Sequence, residues 1–222
     1  MQKVNPTRPV LIMLYGLPGS GKSAFARQLT DVVNIAHVSA ERIRFELFEE
    51  PRFDKAEYDV INSIMNFMTD QFLQAGVSVV YDTQVSRIAD RKVLREIAHR
   101  YKAEPLMVWL QIDVDTAFAR SNKRDHRKAD DKYAVDLDAD IFERMARALQ
   151  NPTPTEEYAV ISGKHTFNAQ RDMVLKKLAA MGIIESSSYL SKVTKPELTN
   201  MVAQAQTQIG RVDLSRRNIT IR

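Results

Sequence analysis

Short apolar runs alternate along this chain with longer stretches of helical periodicity. The runs Val10–Tyr15, 36–38, 77–81, 106–112 and 158–161 have the length of buried strands. Between them, Lys55–Gln74 places Ile61, Ile64, Met65, Met68 and Phe72 at i, i+3, i+4 spacing. Residues 90–101 bring Val93, Leu94, Ile97 and Tyr101 onto one helical face. Residues 23–33, 116–124, 138–150 and 169–181 read as further helices, with Asp113 and Asp115 as candidate caps. Strands separated by helices of this length predict an α/β fold: a parallel five-stranded sheet with helices on both faces, three layers in all. The methionine and aromatic stripes on these helices read as core.

Gly182 follows the last of these helices in the position of a C-cap. Ser186-Ser187-Ser188 then reads as a linker, dividing the chain into a main domain, 1–185, and a C-terminal appendage, 186–222. In the appendage, Thr194 and Glu197 stand at capping-box spacing, with Pro196 in the first turn. Leu198, Met201, Val202, Ala205 and Ile209 make an apolar stripe that predicts an amphipathic helix, and Gly210 closes it. Residues 211–222 alternate like an edge strand or an ordered tail.

Charge sharpens this division. The net charge of the 222 residues is +4, and the appendage alone supplies it with six basic and two acidic side chains. The main domain is therefore near neutral, and the basic character of the appendage suits either a polyanion or a solvated surface. With no cysteine there is neither a disulfide framework nor a thiolate metal site. No apolar run approaches the roughly 18 residues that span a bilayer, and no secretory leader pattern is present, so the expected location is cytoplasmic.

The chemistry begins directly after the first strand. Gly16-Leu17-Pro18-Gly19-Ser20-Gly21-Lys22-Ser23 matches G-x-x-x-x-G-K-[ST], and it sits between a strand and a helix as that loop requires. Its glycines allow backbone N–H groups to wrap a polyphosphate, and the helix N-terminus behind them adds partial positive charge. In this pattern Lys22 reaches the β- and γ-phosphates of ATP, and the Ser23 hydroxyl ligates Mg²⁺. Three further positions lie beyond strand ends, where open α/β sheets bind ligands. Glu41 is placed to accept a proton from a hydroxyl, and Arg44 shares its helix face, although a solvent-exposed ion pair reads equally from the spacing. Asp82 ends an apolar strand, as a metal-associated aspartate does, or else caps a turn. Arg120, Lys123, Arg124, Arg127 and Lys128 cluster after the fourth strand, suited to a charged lid or to a solvated loop. His165 reads as structural or as a contact to the nucleotide base.

Together these segments resemble the P-loop kinases grouped around the 5′-hydroxyl polynucleotide kinase domain and the zeta-toxin-like kinases, loosely called AAA family ATPases. The resemblance runs over residues 8–180 and rests on the Gly16–Ser23 loop, Ser39-x-Glu41-x-x-Arg44, Asp82-Thr83-Gln84, Arg120-Ser121-Asn122-Lys123-Arg124 and Gly163-Lys164-His165-Thr166-Phe167. It implies a P-loop NTPase sandwich and an ATP- and Mg²⁺-dependent kinase. Gly16, Pro18, Gly19, Ser20, Gly21, Lys22, Ser23 and Arg120 would bind the donor nucleotide. Ser23 and Asp82 would hold the metal, and Lys22, Glu41 and Arg124 would be catalytic. Arg44 and Asp82 would contact the acceptor, a nucleic-acid 5′-hydroxyl or a nucleotide-like molecule. The base position, commonly Asp in that family, is Glu here, which moves its carboxylate by about 1 Å. A sugar-nucleotide or antibiotic kinase is the neighbouring expectation. A nucleotide-dependent regulatory module working through the basic tail is the expectation outside the kinases.

Overall fold

The computed structural model describes residues 3–123, 133 and 137–185. The appendage, Arg124 and the rest of the basic segment after it therefore lie outside the described residues.

The element order is β1 (Val10–Tyr15), α1 (Lys22–Val32), β2 (Ala36–Ser39), α2 (Ala40–Leu47), α3 (Lys55–Gln74), β3 (Val79–Asp82), α4 (Ile88–Arg100), β4 (Glu104–Gln111), α5 (Val114–Ser121), α6 (Ala139–Arg147), β5 (Tyr158–Ser162) and α7 (Phe167–Ala180). The strands form one sheet in the order β2-β3-β1-β4-β5, and every pairing is parallel. All six residues of β1 are buried, because the strand is central and covered on both faces. Its alternation sorts them between two cores. Val10, Ile12 and Leu14 pack with Phe25 and Leu29 of α1 and Val174, Leu175 and Leu178 of α7. Leu11, Met13 and Tyr15 pack with Ile61, Met65 and Leu73 of α3 and Leu94, Ile97 and Ala98 of α4. The three-layer α/β architecture is thus the expected one.

Element ends differ from the periodicity in instructive ways. Strand β3 starts at Val79 rather than at Val77, which is 38% exposed. The Ser78 side chain instead accepts the Val10 amide, joining β1 to the approach of β3. In α4 the buried face carries Arg91, fully buried, while Val93, expected inside, is 46% exposed. Helix α5 ends at Ser121, three residues short of expectation, and Asp113 caps it through the Thr116 amide. Helix α6 is also shorter, with Asp138 as its N-cap rather than its first turn. Gly182, at φ 67°, ends α7 as expected: its amide bonds the Ala179 carbonyl and the Ile183 amide bonds the Leu178 carbonyl.

This topology decides where a ligand can bind. After β1 the chain runs out to β2 and back through β3, then crosses β1 to β4. The crevice beyond the carboxyl end of β1 is therefore the switch point of the sheet. The P-loop begins there, at Gly16.

Candidate active site

The loop between β1 and α1 is built for close backbone approach. Gly19 has φ 78°, and a Cβ there would collide with the Ala117 carbonyl of α5. A Cβ on Gly163, in the β5–α7 connection, would stand 2.7 Å from the Ser20 carbonyl oxygen. Three backbone segments thus meet with no room for side chains between them. Gly21 is the N-cap of α1 and offers no capping side chain, which leaves the first amides of that helix open to an anion. Lys22 Nζ donates to the Gly16 and Leu17 carbonyls at 2.9 and 2.8 Å, folding back across the loop. Ser20 Oγ is buried without a hydrogen-bond partner among the described residues. Uncapped amides, a lysine and an orphaned hydroxyl fit a polyphosphate.

The metal-associated residues also come together. Ser23 Oγ donates to Asp82 Oδ1 at 3.0 Å, although the two are 59 residues apart. Asp82 is 3% exposed, and its other oxygen lies 2.9 Å from His37 Nε2 on β2. Register explains this: Ser39 pairs with Asp82, so His37 reaches it diagonally from the neighbouring strand. A hydroxyl and a carboxylate are hard oxygen donors of the type Mg²⁺ takes alongside substrate phosphates and water. Among the described residues no group of three or more His, Asp or Glu could hold a metal by itself. The Ser23–Asp82 pair therefore fits a metal that arrives with the nucleotide.

Glu41 stands in the first turn of α2, which Ser39 caps. Its side chain is 38% exposed. Burial pushes its carboxyl above the ordinary carboxylate range; the Arg44 hydrogen bond pulls it back, and the charges of Asp82 and Glu57 push it up again. Arg44 is fully buried. Its Nη1 donates to Glu41 Oε2 at 2.6 Å, and its Nε lies 2.6 Å from Glu57 Oε1. The rings of Phe53 and Tyr58 each lie 4.7 Å from its guanidinium carbon. Arg44 thus faces two carboxylates and two rings, and the arginine–glutamate pair is not the solvent-exposed one its spacing allowed.

Arg120 Nη1 donates to the Gly163 carbonyl at 2.9 Å, tying α5 to the β5–α7 connection beside the P-loop. Lys164 pairs with Asp113 at 2.6 Å across the same two segments. That ammonium, with the Thr116 side chain and amide, holds the Asp113 carboxyl well below its usual range. Next to them opens a cavity of about 800 Å³ whose walls include Tyr15, Leu17, Trp109, Leu149, Val160 and His165. Glu41 and Asp82 do not line it.

Two participants in the site and one buried pair away from it escape sequence reasoning. His37 and Glu57 hold site residues, and neither belongs to a motif. Glu57 did leave a signal: Asp54-Lys55-Ala56-Glu57 has capping-box spacing, and Asp54 does cap α3 by accepting the Glu57 amide. Arg91 and Glu156 form a buried pair 65 residues apart, at 2.6 and 3.1 Å, beneath the loop that leads into β5.

The model of the AAA domain family matches residues 11–152. The chain belongs to that family. A shikimate kinase from Staphylococcus epidermidis is 26% identical over 150 residues, which are 62% of this chain and 80% of that one. Among solved structures, a sugar kinase from Janibacter superposes with a TM-score of 0.57 at 16% identity, over 79% of this chain and 95% of its own. The Mycobacterium tuberculosis APS kinase CysC, solved with AMPPNP and APS, gives 0.57 at 17% identity, over 78% and 99%. At such identities the structural likeness is one of fold alone, shared with these solved kinases. Among the described residues no helix is long and apolar enough to cross a membrane.

Proposed function

We propose that this protein is an ATP- and Mg²⁺-dependent kinase that transfers the γ-phosphate to a hydroxyl, with Glu41 as the general base. One observation carries the reading. At the adjoining carboxyl ends of β1, β3 and β2 stand, in order, an open phosphate-binding loop, the Ser23–Asp82 oxygen pair, and a half-buried carboxylate of raised proton affinity. Phosphoryl transfer needs a donor cradle, a metal partner and a base for the acceptor hydroxyl, and these are the three.

In this reading the P-loop amides and Lys22 hold the β- and γ-phosphates. Ser23 and Asp82 would hold Mg²⁺, which when bound would neutralise charge on the phosphates. Glu41 takes the proton of the acceptor hydroxyl as its oxygen attacks the γ-phosphorus and the bond to ADP breaks. Arg120 supports the β5–α7 side of the donor site. Arg124 as the lid arginine belongs to the same proposal and lies outside the described residues.

For the acceptor we favour a nucleotide-like molecule or a nucleic-acid 5′-hydroxyl. Phe45 lies one helical turn beyond Glu41, is 36% exposed, and meets Phe53 and Tyr133 with ring centroids 6.5 and 5.9 Å away. Aromatic faces of this kind stack on heterocyclic bases. A smaller hydroxylated acceptor is the second reading, favoured by relatives described as shikimate and sugar kinases. Incubation with γ-labelled ATP against 5′-hydroxyl oligonucleotides, nucleosides, nucleotide sugars and sugar acids tests both. Label on an oligonucleotide or nucleoside supports the first reading, and label confined to sugars supports the second. ATP hydrolysis with no acceptor labelled would overturn the kinase assignment.

A further inference from the structure

Behind the exposed edge of Glu41 lies a buried relay of charged groups that ends at Glu57. Glu57 is 3% exposed, on the first turn of α3. Its Oε2 accepts the main-chain amides of Arg52 and Phe53 at 2.7 and 3.2 Å. Its Oε1 faces Arg44 Nε, while Arg44 Nη1 holds Glu41. We propose that Glu57 is a positioning residue for phosphoryl transfer: it fixes Arg44 from behind, so that the guanidinium presents Glu41 to the acceptor in one orientation. The inference rests on Glu41 being the base.

Three features make this more than a buried ion pair. First, only Glu41 of the three charged groups reaches the surface, so the relay has one open end, at the proposed base. Second, the guanidinium plane is set by Phe53 and Tyr58 on α3 and the loop before it, while Glu41 is on α2. The relay therefore locks two elements to each other at the site. Third, Phe53 holds the left-handed backbone conformation, φ 55°, which strains a non-glycine residue. Its amide on Glu57 and its ring on Arg44 hold it there.

Charge gives Glu57 a second effect through the same contact. Two carboxylates flank one guanidinium, and the Glu57 charge repels that of Glu41 while Arg44 attracts it. The charged and titratable groups acting on Glu41 are Arg44 from its own helix, Glu57 from α3 and Asp82 from β3; Tyr58 adjoins Arg44. Neutralising Glu57 removes that repulsion, and Glu41 becomes a weaker base.

The test compares wild type with Glu57→Gln and Glu57→Asp. Both variants are expected to lower kcat for transfer from ATP on the order of a hundredfold, with ATP affinity unchanged within about twofold. In Glu57→Gln the Glu41 carboxyl, followed by ¹³C NMR, is expected to titrate at lower pH than in wild type. Placed in an Arg44→Lys background, Glu57→Gln should add little, since it acts through Arg44. Wild-type kcat in Glu57→Asp, or a Glu41 titration in Glu57→Gln that matches wild type, overturns the proposal and leaves Glu57 a structural residue. Should Glu57→Gln fail to fold, Glu57→Asp decides, because it keeps the charge and withdraws the contact by one methylene. If wild type labels no acceptor, the kinase reading falls, while the Glu41 titration still decides whether Glu57 controls that carboxyl.

Discussion

Glu156→Gln should cost this fold a large part of its stability without touching the nucleotide site. The Glu156 carboxylate accepts four hydrogen bonds: Arg91 Nε at 2.6 Å, Arg91 Nη2 at 3.1 Å, the Thr153 amide at 2.8 Å and the Thr153 hydroxyl at 3.1 Å. Glutamine keeps one oxygen and turns an NH₂ toward donors, so either the single contact at Oε1 or those gathered at Oε2 become donor against donor. Arg91, fully buried, is left without its counter-charge. Breaking a buried pair in this way costs about 3–5 kcal/mol. For a chain of this size each kcal/mol lowers Tm by about 2–4 °C, so a fall of about 6–20 °C is expected. Burial pushes the Glu156 carboxyl up, but the Arg91 and Thr153 hydrogen bonds outweigh it and hold the pKa below its ordinary value. A carboxyl lowered on folding stabilises fully above its unfolded pKa, and that increment disappears as pH falls through the folded one. The gap between wild type and variant should therefore be largest near neutral pH and shrink on acidification. Thermal melts by circular dichroism across that range measure it. A gap under about 1 kcal/mol near neutral pH, or one that stays constant on acidification, would refute the reasoning.

Other outcomes follow from the site. Gly19→Ala forces a methyl into the Ala117 carbonyl and a side chain into left-handed backbone at about 1–2 kcal/mol, so ATP affinity should fall at least tenfold by calorimetry, with α5 displaced. Asp82→Asn removes the charge that Ser23 and His37 both contact; binding of Mg²⁺–ATP should weaken about 10- to 100-fold, and that of metal-free ATP far less. Glu41 carries a raised proton affinity, so transfer rates should rise with pH through a midpoint above the ordinary carboxylate range, and that acid limb should vanish in Glu41→Gln.

What could be read from the chain, and what could not, divides along a physical line. The strand β1 and the loop after it are legible because a fully buried central strand is continuously apolar and the phosphate cradle needs glycine at fixed places. Helix α3 is legible end to end because its apolar positions recur over twenty residues. Arg44, Glu57, Arg91 and Glu156 are not, because a charged residue spells the same in sequence whether it faces water or a buried partner. Arg91 shows the cost directly: periodicity placed Val93 inside α4 with Leu94 and Ile97, but the buried face carries Arg91, paired with Glu156, in place of Val93. The role of His37 depends on strand register, which only the β2–β3 pairing sets. The strand-end positions Asp82 and Glu41 lie between these extremes. Their places beyond apolar runs suggested a site, and the parallel order of the sheet brings them to one edge of it.

The central claim is that Glu41 takes the proton in a phosphoryl transfer from ATP, and Glu41→Gln tests it most directly. With γ-labelled ATP and whichever acceptor wild type labels, the variant should lose about 10²- to 10⁴-fold in kcat while binding ATP as wild type does. Transfer at near wild-type rate, or a loss of ATP affinity that accounts for the whole defect, would contradict it.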